Sequence, residues 1–168
     1  MAKKKPALTT ALRMLDAHGI SYTTLEYAYE EKGGTRQTAE CLGVPEHQVV
    51  KTLVMETETG DPFLVLMHGD REVSTKALAR HLGCKSVKPC DARDATRHTN
   101  YVFGGTSPFG TRKKLPVYVE SGIFDLPWFL INGGRRGFQV KTHPRRPRDP
   151  RARNRRGFSG RGWVNLSA

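Results

Sequence analysis

The stretch KTLVMETETGDPFLVLMHG, residues 51–69, holds two apolar runs that are separated by a short polar turn. Both runs, KTLVMET and PFLVLMHG, are rich in β-branched and large apolar residues, which strands favour. Between them, ETGD supplies the glycine and aspartate that are common in hairpin connections. The stretch therefore predicts a β-hairpin.

On the N-terminal side of this hairpin, the sequence predicts short helices around one strand. Thr9 or Thr10 can cap a helix that is closed by Gly19. The segment ISYTTLEYAY has the aromatic and β-branched residues of a strand. We expect Thr35 to cap a second helix, RQTAECL, and Pro45 to begin a third, PEHQVV.

On the C-terminal side, two more helices and three more strands are predicted. Ser74 and Asp91 are placed to cap TKALARHL and ARDATRHT. Three strand-like runs follow, LPVYVE, WFLI and GFQVKT, and the glycine-rich turn NGGRR joins the last two. Because the helices are inserted irregularly among six or seven strands, we expect a single α/β (α+β) domain with a mixed, curled, barrel-like sheet.

Length and composition limit the classes of protein. The 168 residues fit one domain with a substantial core. No apolar run approaches the ~18 residues that span a membrane, so we expect no membrane partner. The three cysteines lack metal-site spacing, so we expect no metal and no cofactor, and reduced thiols in the cytoplasm.

The net charge of +12 is concentrated at the two ends of the chain. Eight arginines and one aspartate from Pro144 onward give +7, and Lys3, Lys4 and Lys5 give +3, which leaves +2 for the middle. The arginine- and proline-rich end has too few apolar residues to order itself by burial. We therefore predict a basic flexible N-terminus (1–6), a folded domain (7–143) and a flexible tail (144–168).

A second stretch, YVFGGTSPFG, residues 101–110, combines three glycines with a proline in a loop-like context. It lacks the GK[ST] ending of a P-loop, it does not lead into a helix as a dinucleotide-binding turn does, and Pro108 and Phe109 interrupt a nucleophile elbow. Gly104 and Gly105 would let the backbone approach a ligand and offer N–H donors to a developing oxyanion. A turn without chemical function is the alternative.

Lys51 stands where a predicted helix passes into an apolar strand. Burial disfavours a charged lysine unless an anion compensates, so we expect its ammonium group to face an anionic ligand such as phosphate. The alternative is a lysine at the edge of the sheet that extends to water. The six histidines are scattered without metal-ligand spacing, and none is assigned a role.

Four stretches together carry a family resemblance: LGVPEHQVVKTLV, LVLMHGDREVSTKALARHLGCKSV, TNYVFGGTSPFGTRKKLPVYVE and INGGRRGFQV. In this order they resemble the YbaK family of aminoacyl-tRNA deacylases, over about residues 7–143. That family is similar to the editing domain inserted in bacterial prolyl-tRNA synthetases. The resemblance implies the YbaK/prolyl-tRNA synthetase-associated domain fold.

The resemblance also implies site residues. The family's required lysine falls on Lys51 and its essential glycine on Gly104, with Gly105 beside it as a further catalytic residue. Asn132 departs from the family pattern, which has a serine there. The expected substrate-binding residues are Tyr27, Thr52, which follows Lys51 in the same pocket, Thr106, Ser107, Asn132, Gly133 and Gly134. The expected tRNA-binding residues are Lys113, Lys114, Arg135 and Arg136.

The function that the resemblance implies is trans-editing of mischarged aminoacyl-tRNA in the cytoplasm. Cys-tRNA(Pro) and Cys-tRNA(Cys) are the expected substrates, and the substrate's own thiol is the expected nucleophile. The expected partners are aminoacyl-tRNA and, in a ternary complex with tRNA, prolyl-tRNA synthetase. The alternatives are a non-catalytic tRNA-binding module, a deacylase of the alanine or serine branch, and a regulatory domain for an aminoacyl-adenylate-like molecule.

Two explanations of the tail are considered. Relatives continue into a short apolar helix, whereas this chain has arginine, proline and glycine before the family-like ending VNLSA. One hypothesis is a compensated pair of frameshifts in a GC-rich gene. The other is a basic arm that grips tRNA, which would make binding strongly dependent on salt.

Overall fold

The computed structural model describes residues 7–144 and 163–165 as a mixed α/β domain. Its helices are α1 (Thr10–Ala17), α2 (Gly34–Leu42), α3 (Thr75–Leu82) and α4 (Ala92–Thr99). Its strands are β1 (Thr23–Glu26), β2 (Val49–Thr57), β3 (Pro62–His68), β4 (Val87–Pro89), β5 (Val117–Glu120), β6 (Phe129–Asn132), β7 (Phe138–Thr142) and β8 (Trp163–Asn165). Short 3₁₀ turns cover Glu46–Gln48 and Ser121–Asp125. None of these described helices has the length and apolar character needed to cross a membrane.

Seven strands follow one path across the sheet, in the order β1-β7-β6-β2-β3-β5-β8, and β4 pairs with β2 beside that path. The pairs β2–β6 and β3–β5 are parallel and the others are antiparallel. The predicted mixed sheet in a single α/β domain is thus confirmed. Among the described strands β1 and β8 do not pair, so the sheet stays open rather than closing into a barrel.

The predicted hairpin forms the centre of the sheet. β2 and β3 pair antiparallel from Val50 opposite His68 to Glu56 opposite Pro62. On its other side, β2 runs parallel to β6, with Val50 beside Ile131. Helices cover the apolar residues of this hairpin on both faces of the sheet.

Side chains alternate between the two faces of a strand, and this alternation divides the core. On one face, Leu12 and Leu15 of α1 pack against Val50, Ile131 and their neighbours. On the opposite face, Ala39 of α2 packs against Val49 and Leu130, and α3 covers the far end of the hairpin. Lys51 shares the α2 face with Val49, since the two are separated by one residue of the strand.

Three of the predicted helix caps are confirmed. The side chains of Thr9, Ser74 and Asp91 accept hydrogen bonds from backbone N–H groups three residues further on, at 3.2, 3.3 and 2.8 Å. Each of these contacts satisfies an N–H group that the first helical turn leaves unpaired.

The predicted cap at Thr35 is wrong. The helix α2 begins at Gly34, two residues before the predicted start at Arg36, with Gly33 at its N-cap and no side-chain cap. The Thr35 hydroxyl donates instead to Glu46 Oε1 at 2.8 Å and to the carbonyl of Gly69 at 3.2 Å. The third predicted helix, PEHQVV, is also shorter than expected, because only Glu46–Gln48 form a 3₁₀ turn before β2 begins.

The flexible segments predicted at the two ends of the chain lie mostly outside the residues that the structure describes. Residues 1–6 lie outside the described residues, as does most of the tail predicted for 144–168. Within that tail, Trp163–Asn165 form β8, with Val164 opposite Val119 of β5. The predicted boundary at 143 stays a prediction.

Candidate functional site

Two glycine-rich loops meet at one end of the sheet; we call them the glycine loops and define them as residues 101–110 and 132–137. Gly104 has a φ of +84°, in the left-handed region that favours glycine. A Cβ at Gly104 would lie 2.6 Å from the hydroxyl of Tyr29, and one at Gly105 would lie 3.0 Å from the backbone of Arg135. The backbone conformation thus favours glycine at position 104, and the close approach of the Arg135 backbone favours it at position 105.

The backbone N–H groups of the first loop differ in their availability. Gly105 N–H donates to the carbonyl of Val102 at 2.9 Å and closes a turn. Within the described part of the chain, the N–H of Gly104 has no hydrogen-bond partner. Of the two glycine donors expected at an oxyanion, Gly104 thus has the free N–H, and Gly105 contributes close packing.

Asn132 fastens the two glycine loops together. Its Nδ2 donates to the carbonyls of Gly104 at 3.2 Å and of Arg135 at 3.0 Å. Its Oδ1 accepts a hydrogen bond from the N–H of Gly134 at 2.7 Å. Asn132, which stands where the family has a serine, therefore holds the backbone of both glycine loops in place. Most of its hydrogen-bonding capacity is engaged in these contacts.

The remaining residues of the second loop are packed against their neighbours. Gly133 N–H donates to Phe138 at 2.9 Å, and a Cβ there would lie 2.7 Å from the ring of that residue. Gly134 has a φ of +106°. Tyr27 is half-buried, its N–H donates to the carbonyl of Gly137 at 3.0 Å, and its hydroxyl accepts from Thr38 at 2.8 Å.

Lys51 lies next to the glycine loops through the sheet. The parallel pairing of β2 and β6 ends at Val50 beside Ile131, so Lys51 and Asn132 follow directly on neighbouring strands. The Lys51 side chain is 19% exposed, and its Nζ lies 3.4 Å from the carbonyl of Gly69 and 3.7 Å from Glu72. Because the Glu72 side chain is 99% exposed, this ion pair is weak, and the ammonium group can bind a stronger anion.

Three of the predicted substrate-binding side chains, Thr52, Ser107 and Thr106, carry hydroxyl groups that are buried or already hydrogen-bonded. Thr52 follows Lys51 in β2 and points to the opposite face of the sheet, where its buried hydroxyl has no partner among the described residues. Ser107 is fully buried, and its hydroxyl accepts a hydrogen bond from the N–H of Phe109 at 3.2 Å. Thr106 is half-buried and its hydroxyl donates to Val102 at 3.4 Å.

The four predicted tRNA-binding cations divide into two pairs. Arg135 lies 4.0 Å over the ring of Phe138 and forms an ion pair with Glu26, and Arg136 donates to the carbonyl of Phe103 at 2.9 Å. The backbone of Arg135 and the side chain of Arg136 therefore lie against the loop that holds Gly104. Lys113 and Lys114 are exposed, and the backbone N–H of Lys113 donates to the carbonyl of His98 in α4 at 3.0 Å.

Sequence reasoning missed a group of ionisable residues, which we call the histidine cluster: His47, His68, Asp70 and Glu120. The rings of His47 and His68 stack with centroids 3.8 Å apart. His68 Nδ1 lies 2.7 Å from the carbonyl of His47, its Nε2 lies 2.9 Å from Glu120, and His47 Nδ1 lies 2.9 Å from Asp70. These contacts depend on strand register, so no local sequence pattern predicts them.

The pKa values in the histidine cluster follow from its ion pairs. Burial lowers the pKa of His68, but the Glu120 carboxylate and the carbonyl of His47 outweigh it and raise the pKa above its ordinary value. Burial likewise raises the pKa of Glu120, but contact with His68 and the N–H of Gly122 lowers it overall. The His68–Glu120 pair is thus stabilised in its charged form.

Tyr29 was also missed, although a period of two from Tyr27 could have indicated it. Its hydroxyl is the group that a Cβ at Gly104 would strike, and its ring lies 5.2 Å from the Arg136 guanidinium.

No group of three or more metal-ligating side chains is found among the described residues. A depression of about 510 Å³ beside α2, lined by Ala39, Glu40 and Pro45, contains none of the predicted site residues.

Comparison with known proteins identifies the family. A protein-family model described as the aminoacyl-tRNA editing domain matches residues 30–149, well over half of the chain. The chain therefore belongs to the aminoacyl-tRNA editing domain family, and the resemblance seen in its sequence is confirmed.

The relatives include both free-standing and inserted domains. An Enterococcus faecalis protein with the provisional name Cys-tRNA(Pro)/Cys-tRNA(Cys) deacylase EbsC is 32% identical over 146 residues, covering 86% of this chain and 89% of that protein. The proline–tRNA ligase of Thermosipho africanus is 31% identical over 111 residues, which cover 66% of this chain and 19% of the ligase. A crystal structure provisionally described as a trans-editing enzyme for prolyl tRNA synthetase superposes with a TM-score of 0.73 at 21% identity, covering 84% of this chain and 89% of that one, which shows a shared fold.

Proposed function

We propose that this protein is a trans-acting aminoacyl-tRNA deacylase, with Cys-tRNA(Pro) as its main substrate and Cys-tRNA(Cys) as a second one. The observation that carries the proposal is Gly104. In a chain of the editing family, this residue combines a left-handed backbone, an N–H without a described partner and a position between two fastened loops. A backbone donor held in this way can stabilise an oxyanion without reorganising during the reaction.

The proposed reaction uses the substrate's own thiol. Its sulfur attacks the carbonyl carbon of the ester that joins cysteine to the tRNA 3′ end. The sulfur–carbon bond forms, the bond from that carbon to the ribose oxygen breaks, and the thiol proton passes to the ribose oxygen. The products are a cyclic thiolactone and deacylated tRNA. Positioning contributes roughly 7–11 kcal/mol in well-oriented systems, and one oxyanion donor about 3 kcal/mol.

The protein's own nucleophiles are poorly suited to the reaction. Ser107 is buried and its hydroxyl serves a turn. Burial, with Glu56 nearby, raises the pKa of the Cys90 thiol to about 12, so its nucleophilic thiolate is scarce at neutral pH. Cys41 lies in α2 and is exposed to solvent. These observations favour a nucleophile supplied by the substrate.

Lys51 would bind a phosphate of the terminal nucleotides as a point charge. Its present partners are weak, since Gly69 accepts at 3.4 Å and Glu72 is almost wholly exposed. Arg135, Arg136, Lys113 and Lys114 would contact the tRNA backbone. We place the activity in the cytoplasm, with prolyl-tRNA synthetase as a partner in a ternary complex with tRNA.

The decisive experiment is incubation of the purified protein with Cys-tRNA(Pro), Ala-tRNA(Pro) and Ser-tRNA(Pro), each labelled on the amino acid. Loss of the cysteinyl ester with release of a thiolactone supports the proposal. Preferred hydrolysis of the alanyl or seryl ester identifies the other branch of the family. Retention of all three esters on tightly bound tRNA identifies a binding module, and binding of an aminoacyl-adenylate analogue without tRNA identifies a regulatory domain.

A further inference from the structure

Phe103 has an unusually exposed aromatic ring at the rim of the glycine loops. It is 71% exposed, the highest value among the large apolar residues that the structure describes as exposed, and its neighbour Val102 is 51% exposed. A single exposed apolar residue is ordinary on a protein surface. The surroundings of Phe103 are therefore what give its exposure meaning.

The backbone of Phe103 is held in place from two sides. Arg136 Nε donates to its carbonyl at 2.9 Å, and Asn132 donates to the carbonyl of Gly104, the next residue, at 3.2 Å. The turn closed by Gly105 N–H and Val102 fixes the loop from within. The aromatic ring thus projects from an ordered backbone, which reduces the entropy lost when a ligand packs on it.

Two arginines lie on the turn that contacts the backbone of Phe103. The guanidinium of Arg136 lies 5.2 Å from the ring of Tyr29, next to Gly104, and Arg135 lies on the same turn. Arg135 is paired with Glu26, whereas no carboxylate pairs with Arg136 among the described residues. An exposed aromatic ring beside a guanidinium without a carboxylate partner is the combination that proteins use to bind unpaired nucleotides, through stacking on the base and attraction of the phosphate.

We propose that Phe103 stacks on a base of the single-stranded 3′ end of tRNA, with the Arg136 guanidinium beside the adjoining phosphate. The inference rests on the proposed function, since it places the end of the tRNA at Gly104. A base in a duplex is stacked on its neighbours and would not offer its face to Phe103, so the ligand is an unpaired nucleotide. A single ring flanked by arginines is also too small and too charged to resemble the apolar centre of a stable protein interface.

The test compares Phe103→Ala, Phe103→Trp and the control Val102→Ala, which shortens the other exposed apolar side chain of the same loop. The probes are uncharged intact tRNA and the same tRNA trimmed of its unpaired 3′ nucleotides. Phe103→Ala is expected to weaken binding of intact tRNA by roughly ten- to a hundredfold, while Phe103→Trp keeps it within about threefold. Trimmed tRNA should bind the wild-type protein and Phe103→Ala equally, and Val102→Ala should bind like wild type.

Several results would overturn this proposal. They are unchanged binding of intact tRNA by Phe103→Ala, an equal loss with trimmed tRNA, an equal loss in Val102→Ala, and a loss confined to binding of prolyl-tRNA synthetase. Ester cleavage is measured separately. If the wild-type protein cleaves no ester but shows the expected pattern of binding, the proposed enzyme function fails and the stacking assignment stands.

Discussion

The glycine loops and the histidine cluster are built in opposite ways. In the glycine loops, the group that we propose to act on the ester carbonyl is the backbone N–H of Gly104, which does not titrate in the physiological range. In the histidine cluster, the side chains of His68 and Glu120 are buried, paired and shifted in pKa. Shifted pKa values mark many active sites, but buried ion pairs produce them as well. In this protein the shifted pKa values belong to the histidine cluster, whereas the proposed oxyanion donor belongs to the glycine loops.

Gly69 connects the histidine cluster to Lys51 rather than to the glycine loops. Its carbonyl accepts hydrogen bonds from Lys51 at 3.4 Å and from Thr35 at 3.2 Å, and it follows His68 directly in the chain. The histidine cluster thus stabilises the end of β3, and the carbonyl of Gly69 at that end accepts the hydrogen bond from Lys51. We expect changes in the cluster to lower stability and changes at the glycine loops or Lys51 to lower turnover, and four experiments test this separation.

The largest effect is expected at Lys51. Lys51→Ala should lower kcat/KM for Cys-tRNA(Pro) by on the order of a thousandfold, because the cation that would bind phosphate is lost. Lys51→Arg should also fail to restore activity, since the wider guanidinium does not fit a compact ammonium site. Steady-state kinetics and thermal melting are the measurements.

A matched control for this change is Lys88→Ala, which removes a lysine whose side chain is 72% exposed, paired with Glu56 on the same sheet. It should leave both turnover and melting temperature near wild type, because exposed ion pairs contribute little. Near-native activity in Lys51→Ala would remove Lys51 from the site.

The next effect is expected for Gly104→Ala, which should lower kcat about a hundredfold, because alanine keeps the backbone N–H but would displace it from the position where the oxyanion forms. The added methyl group would strike the Tyr29 hydroxyl at 2.6 Å, and a φ of +84° strains any residue with a Cβ. Gly60→Ala is the control, because Gly60 has a φ of +81° in the β2–β3 turn with open space around it. Similar losses of stability with unequal losses of turnover would support the proposed role, whereas equal losses of turnover would favour a purely structural turn.

A smaller effect on turnover, with a clear effect on stability, is expected for Glu120→Gln. The change removes the carboxylate that holds buried His68 in its charged form and should lower the free energy of unfolding by about 2 kcal/mol. The kcat should stay within about tenfold of wild type. A loss of kcat well beyond the loss of stability would place the histidine cluster in the catalytic machinery.

The effect of Glu120→Gln should depend on pH in a defined direction. The pKa of His68 is raised from 6.5, so its contribution is complete below 6.5 and is lost as pH rises through the folded-state value. The pKa of Glu120 is lowered from 4.5, so its contribution is complete above 4.5 and is lost as pH falls through the folded-state value. The difference in melting temperature between wild type and variant should therefore be largest between pH 4.5 and pH 6.5. It should shrink at higher and at lower pH.

The smallest effects are expected for the protein's own hydroxyl and thiol groups. Ser107→Ala and the single alanine variants of Cys41, Cys84 and Cys90 should keep turnover within about tenfold, because the substrate supplies the nucleophile. Ser-tRNA(Pro), whose hydroxyl is a weaker nucleophile, should be cleaved slowly. A covalent acyl-enzyme detected by mass spectrometry would contradict this mechanism.

Local signals in the sequence determined much of the fold. The hairpin of residues 51–69 and the caps at Thr9, Ser74 and Asp91 are formed as predicted, because their deciding contacts join residues close in the chain. Thr35 carries the same local signal, yet its hydroxyl binds Glu46 and Gly69, which the fold brings near it. A cap prediction fails where a distant partner competes for the side chain.

The sequence by itself also identified the two glycine loops and Lys51 as unusual, since glycine and buried lysine have few ordinary reasons to occur in such positions. Only the tertiary structure decided that Asn132 joins the loops, and that Gly105 N–H is engaged while Gly104 N–H has no partner among the described residues. It also formed the histidine cluster and exposed Phe103. The physical reason is strand register: an alternating apolar pattern fits many pairings, and a shift of one residue would move every side chain to the other face.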